Sequence, residues 1–239
     1  MDGFSYTNIF ETKGIEYLII IGFLAALIPF WVVLNKQVKV TRQIQKVLGN
    51  LSSKILRIPQ GLFYSQNHTW AHLQVSGIAK VGLDDLLMHI TGEVKFSKLL
   101  KAGDSVSKGD LLTEIDQKGK TLKIYSPISG KIINSNPLLK DNPELLNDDP
   151  YGNGWIYKIK PSNWIEETYT YHLAENATEW SDKELERYKD FLAVTLNKYS
   201  PETSRAILQD GGEIIDNSLS ELPNEIWQDF QKEFLNHKA

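Results

Sequence analysis

The chain has 239 residues, room for one or two domains with additional segments. An apolar content of 41% is ordinary for a globular protein, and a net charge of −4 gives no whole-chain footprint for nucleic acid. The absence of cysteine excludes disulfides, thiolate metal sites and a cysteine nucleophile together.

Residues 1–16 form a short tail carrying Asp2, Glu11 and Lys13. Residues 17–34 read YLIIIGFLAALIPFWVVL, without a charge, and this predicts a transmembrane helix. Membrane spans tolerate a proline such as Pro29, and Trp31 suits an interfacial position. A cleaved signal peptide fits less well, because no basic region precedes the run and the run is longer than a signal's. A buried soluble helix is the bland alternative, and the run length weighs against it. Only Lys13 precedes the run, whereas Lys36, Lys39, Arg42, Lys46, Lys54 and Arg57 follow it. The positive-inside rule therefore predicts a single-pass protein whose C-terminal domain is cytoplasmic.

Residues 35–60 read as a basic amphipathic helix and linker. Val40, Ile44, Val47, Leu48, Leu51 and Ile55 recur at helical spacing, and lysines occupy much of the remainder. Such a stripe can lie on an anionic membrane or pack on protein. The lack of Trp or Phe in it tilts the choice towards packing. Pro59 ends the helix at or before Ile58.

Residues 61–165 alternate short apolar runs with turn residues, which predicts a mainly β domain. Strands are expected at Trp70–Val75, Ile78–Val81, Val94–Ser97, Leu111–Ile115, Leu122–Tyr125, Lys131–Ile133 and Trp155–Ile159. Asp84 or Asp85 opens a short helix through Leu86, Leu87 and Ile90. Between two of the strands, Lys118-Gly119 stands where a tight hairpin turn belongs, since glycine accepts the positive φ such a turn needs. A lysine is thus presented at an exposed tip. By itself this is also what a surface hairpin with solubilising lysines looks like.

The segment from Tyr64 to Trp164 resembles the glycine-cleavage H protein, a relative of the lipoyl domains. The resemblance rests on Tyr64, His68-Thr69-Trp70, Ala79-Lys80-Val81-Gly82-Leu83-Asp84-Asp85, Gly92-Glu93-Val94, Gly103-Asp104, Lys108-Gly109 and Ile124-Tyr125-Ser126-Pro127-Ile128-Ser129-Gly130. It ends with the long run Asn142-Pro143-Glu144-Leu145-Leu146-Asn147-Asp148-Asp149-Pro150-Tyr151-Gly152-Asn153-Gly154-Trp155. The fold it implies is a lipoyl-type barrel-sandwich hybrid. The family carries a lipoyl group on a hairpin lysine and shuttles an aminomethyl or acyl group, or electrons, between enzymes. Counted back without gaps from Tyr125, that lysine falls on Gly119, and the family's Glu-Ser-Val-Lys becomes Asp116-Gln117-Lys118-Gly119. A slip of one residue would bring in Lys118, and the next candidate is Lys120. Strand register resists such slips.

Residues 166–239 form a helical extension. Ser181-x-x-Glu184 reads as a capping box, followed by Leu185, Tyr188, Leu192, Leu196 and Tyr199 on one face. Ser200-Pro201 restarts a helix that Gly211-Gly212 closes, and Pro223 opens another with Ile226, Trp227, Phe230 and Phe234 on one side. These faces either cover the β domain or bind another protein.

No metal or enzyme site emerges. His68 and His72 are four apart in a predicted strand, but His89, His172 and His237 supply no matching spacing. Neither a phosphate loop nor a nucleophile elbow is present. The acids Glu144, Asp148 and Asp149 belong to the resemblance, as a fold signature. Asn176-Ala177-Thr178 fits a glycosylation sequon, idle in a cytoplasmic domain. The reading is a membrane-anchored, non-enzymatic docking subunit of a protein complex, with the lipoyl-lysine lost and no cofactor expected. It has no metal, no nucleic-acid partner and no small-molecule substrate of its own. The second reading is a lipoylated carrier with Lys118 bearing the arm.

Overall fold

A computed structural model describes residue 14 and residues 17–31, 50–199 and 214–236. The chain divides into two units, residues 1–49 and 50–239. In the first unit, residues 17–31 are helical (α1), and their large apolar side chains, from Tyr17 to Trp31, are exposed. Among the described residues no helix is long and apolar enough to cross a membrane. Residues 32–34, the end of the apolar run, lie outside the described residues. Of the helix expected over 36–57, residues 36–49 lie outside the described residues, as do residues 1–13, while residues 52–57 are turn and coil and not helix.

The second unit is built on antiparallel sheets. One has six strands in the order β2-β3-β4-β10-β9-β6: Phe63–Tyr64, Thr69–Leu73, Ala79–Leu83, Tyr157–Pro161, Gly130–Ser135 and Ser105–Val106. The other has three, β5 (Lys95–Leu99), β7 (Leu111–Gln117) and β8 (Lys120–Tyr125), in the order β5-β7-β8. Alternation does the sorting. Val81, Leu83, Ile115, Leu122, Ile124, Ile132, Tyr157 and Ile159 all face one buried core. Gly82 lies opposite Trp70 because the indole covers it; a Cβ there would stand 2.6 Å from the ring. Trp70 Nε1 donates to Leu83 O at 2.9 Å, which fixes the ring across the sheet. The expected strands are all present, displaced by one or two residues at their ends.

Helix α2 (Asp85–Thr91) starts as expected, with the Asp84 carboxylate accepting the Leu87 N–H at 2.8 Å. Short helices α3 (Leu145–Asp148) and α4 (Trp164–Thr168) follow in the loops flanking β10. Helix α5 runs unbroken from Glu175 to Tyr199. This corrects the capping-box reading: Ser181 is an interior residue, six positions past the helix start, and faces the core. Its neighbours Leu185, Tyr188 and Leu192 are buried as the periodicity predicted, while the side chains of Leu196 and Tyr199 lie outside the description. So do Ser200-Pro201 and Gly211-Gly212.

The chain returns as β11 (Ile214–Ile215), a 3-10 turn at Ser218–Glu221 and helix α6 (Asn224–Phe230), which widens into a π turn at Gln231–Leu235. Ile226, Trp227, Phe230 and Phe234 are fully buried in the main core. Of the two roles open to that apolar face, covering the domain is the one realised. A second correction concerns the linker. Residues 50 and 51 form strand β1, paired with β11, so Leu51 is buried in a sheet contact and is not on a helix.

Candidate functional site

The hairpin of β7 and β8 is closed by two residues, with Gln117 opposite Lys120. Lys118 (φ 52) and Gly119 (φ 82) both have positive φ, the geometry of a type I′ turn, whose twist suits the flanking strands. Glycine is at home in this conformation and lysine is not, so the tip holds one strained residue. Asp116 and Gln117 support the turn from below. The Gly119 N–H points to Asp116 Oδ1 at 3.4 Å, and Gln117 Nε2 donates to Thr91 O and Glu93 O at the end of α2.

The two candidate lysines differ sharply. Lys118 projects from the tip with 72% of its side chain exposed, and its Nζ stands 3.9 Å from Glu221 Oε1. Such an exposed pair contributes little. Lys120 is tied down. Its Nζ donates to Ser220 O at 2.6 Å and Leu222 O at 3.0 Å, and lies 5.1 Å from the centre of the Trp227 ring. Burial, with the neighbouring charge of Lys118, pulls its pKa down against the opposing pull of Glu221. At Gly119 an added Cβ would meet nothing within 4 Å, so the position opens to solvent.

The outer edge of β8 is also occupied. The hairpin register turns the Lys123 N–H and C=O outward. The N–H donates to Gln231 Oε1 at 2.6 Å, and Gln231 Nε2 donates back to Lys123 O at 3.2 Å. One glutamine amide thus does what a neighbouring strand would do.

Two histidine networks hold the unit together behind the hairpin. His68 is fully buried, in a left-handed backbone conformation, with Nδ1 2.8 Å from Asp84 Oδ2 and Nε2 3.6 Å from Glu184 Oε2. Its ring lies against Trp180 and Phe234. Burial alone favours the neutral ring. Asp84, with Glu184 behind it, reverses that and raises the pKa to about 9. His89 joins Asp216 (2.8 Å) to Asp85 (3.4 Å), and these carboxylates outweigh burial, lifting its pKa to about 9. Arg57 bonds the Asp85 carboxylate and the carbonyls of Asn147 and Asp148. His72 is exposed on β3, whereas His68 precedes that strand in a left-handed conformation and is fully buried, so the two do not share a site. Among the described residues no group of three His, Cys, Asp or Glu could hold a metal ion.

A family model described as "Glycine cleavage H-protein" matches residues 62–184, half of the chain. The chain belongs to the glycine cleavage H-protein family. A probable glycine cleavage system H protein of Thermococcus kodakarensis is 41% identical over 111 residues, spanning 46% of this chain and 82% of that one. The glycine cleavage system H protein of Psychrobacter cryohalolentis is 36% identical over 106 residues, 44% of this chain and 84% of its own. A crystal structure of the Mycobacterium marinum H protein aligns with a TM-score of 0.41 and 28% identity, covering 44% of this chain and 87% of that one.

The H-protein match ends at Glu184, inside α5. The rest of α5, β11, the Ser218–Glu221 turn and α6 lie outside it, and so do the residues that hold Lys120 and Lys123. Sequence reasoning found the hairpin and both lysines. It missed Glu221, Gln231, Asp216 and Arg57, whose partners are remote in sequence and leave no local pattern.

Proposed function

We propose that this chain is a membrane-anchored H-type domain acting as a non-catalytic docking subunit of a membrane-associated protein complex, with its hairpin unmodified. The observation that carries the reading is the fate of the hairpin lysines. Gly119 stands where the family's lysine falls, and Lys120 is consumed in holding the C-terminal segment. The anchor is supported by the uncharged run 17–34, whose described part is helical with its apolar side chains exposed. The excess of basic residues after that run supports a cytoplasmic domain.

Intact-mass measurement on protein purified from its native membranes tests the hairpin: the unmodified mass is expected. Protease added to intact cells tests the topology and should leave residues 60–239 whole. A second reading, the lipoylated carrier, is favoured by one observation, the exposure of Lys118 at the tip. There the arm would supply proximity between enzymes that hold the catalytic groups. A lipoyl adduct mapped to Lys118 by peptide fragmentation would replace the first reading with the second.

A further inference from the structure

The C-terminal stretch is fastened to the hairpin where the hairpin is most accessible. Gln231 closes the outward groups of Lys123, the Ser220 and Leu222 carbonyls clamp Lys120, and Glu221 stands beside Lys118 at the tip. The same stretch is pinned at its other end. Ile214 and Ile215 pair with Leu51 and Asn50, Asp216 bonds the His89 ring, and the Asn217 N–H donates to His89 O at 2.7 Å. Between these points Trp227 and Phe230 are seated in the core. All of it lies beyond the residues that match the family, so this cover is an addition to the domain.

A protein that acts on a side chain at a two-residue turn has to enclose the turn and grip the strands beside it. The unpaired edge of β8 is the natural grip, because an edge strand offers free N–H and C=O groups to a second chain. That grip is taken. The position at the tip is meanwhile open, with nothing within 4 Å of where a Gly119 Cβ would be. The hairpin therefore combines an open tip with a closed flank.

We propose that residues 214–235 are a built-in lock that shuts the hairpin against a lysine-acylating enzyme, so that the unmodified state is enforced by the cover as well as by Gly119. This deepens the reading above and rests on it. The reaction blocked is amide formation from an acyl-adenylate. The lysine amine attacks the acyl carbon, the C–N bond forms, the acyl C–O bond breaks, AMP leaves with the electron pair, and the amine proton passes to solvent.

The test uses the full chain in mild detergent with a lipoate–protein ligase, lipoate and ATP. One protein carries Gly119→Lys, which places an amine at the open position. The other carries Gly119→Lys with Lys120→Met and Gln231→Ala, which removes both fastenings on the hairpin. Peptide mass spectrometry reads the rate of acylation at position 119. The unfastened protein should be modified about tenfold faster or more. Equal rates in the two proteins, at any level including none, overturn the lock. Circular dichroism checks the fold. If the triple variant is unfolded, Gly119→Lys with Gln231→Ala alone takes its place under the same criterion. Failure here leaves the native-mass test untouched, and an adduct on native Lys118 would sink the unmodified reading without bearing on the rates.

Discussion

Replacing His68 with glutamine takes a cation from between two buried carboxylates. Asp84 and Glu184 have side chains only 1% and 11% exposed. Two routes give the size of the effect. Raising the imidazole pKa from 6.5 to about 9 corresponds to about 3 kcal/mol of preference for the charged ring in the folded state. Breaking a buried ion pair by removing one partner costs roughly 3–5 kcal/mol. A loss of about 3 kcal/mol is therefore expected for His68→Gln, read by urea unfolding of the full chain in detergent with tryptophan fluorescence. The pH dependence follows from the sign of the shift. A raised folded-state pKa gives stability that is complete below pH 6.5 and disappears as pH rises through about 9. His89 titrates over the same range, so the wild type should lose stability steadily from pH 7 to 9.5 and His68→Gln should lose about half as much. A loss under about 1 kcal/mol at pH 7, or an unchanged pH slope, would refute the buried imidazolium.

Trp227→Ala should lower stability by roughly 3–5 kcal/mol, because the indole is fully buried and its Nε1 donates to Leu219 O at 2.7 Å; a surface docking role would leave the unfolding midpoint unmoved. Gly82→Ala should cost roughly 1–3 kcal/mol, since the new methyl would press on the Trp70 ring, and thermal melting measures it. Lys120→Met should leave the carbonyls of Ser220 and Leu222 without their donor and cost about 1–2 kcal/mol, with faster amide hydrogen exchange confined to residues 218–222.

Local chemistry was readable in advance. The two-residue turn at Lys118-Gly119, the Asp84 cap and the buried face of Ile226, Trp227 and Phe230 each follow from a few neighbouring residues. The misreadings occur where a distant contact overrides a local signal. Ser181-x-x-Glu184 satisfies the capping pattern, yet Trp180 stacks on His172 and Glu184 reaches His68, so the helix is held in place through those positions and starts earlier. Leu51 fits a helical stripe but is drawn into a pair with Ile214. At the candidate site, Lys118 and Lys120 look alike in sequence. Only contacts across some hundred residues leave one an exposed tip and make the other an anchor.

The hydrogen bonds between Gln231 and Lys123 have a consequence for biosynthesis. Every strand of the two larger sheets has been made by residue 161, so the barrel has all its pairings before the last third of the chain exists. Domains fold as they emerge, at about 5–20 residues per second, and the edge of β8 then stays bare until residue 231 has left the ribosome. For about 4–14 seconds each nascent molecule carries an unsatisfied edge strand. In that interval, the same edge that is silent in the finished protein is open to aggregation and to chaperones.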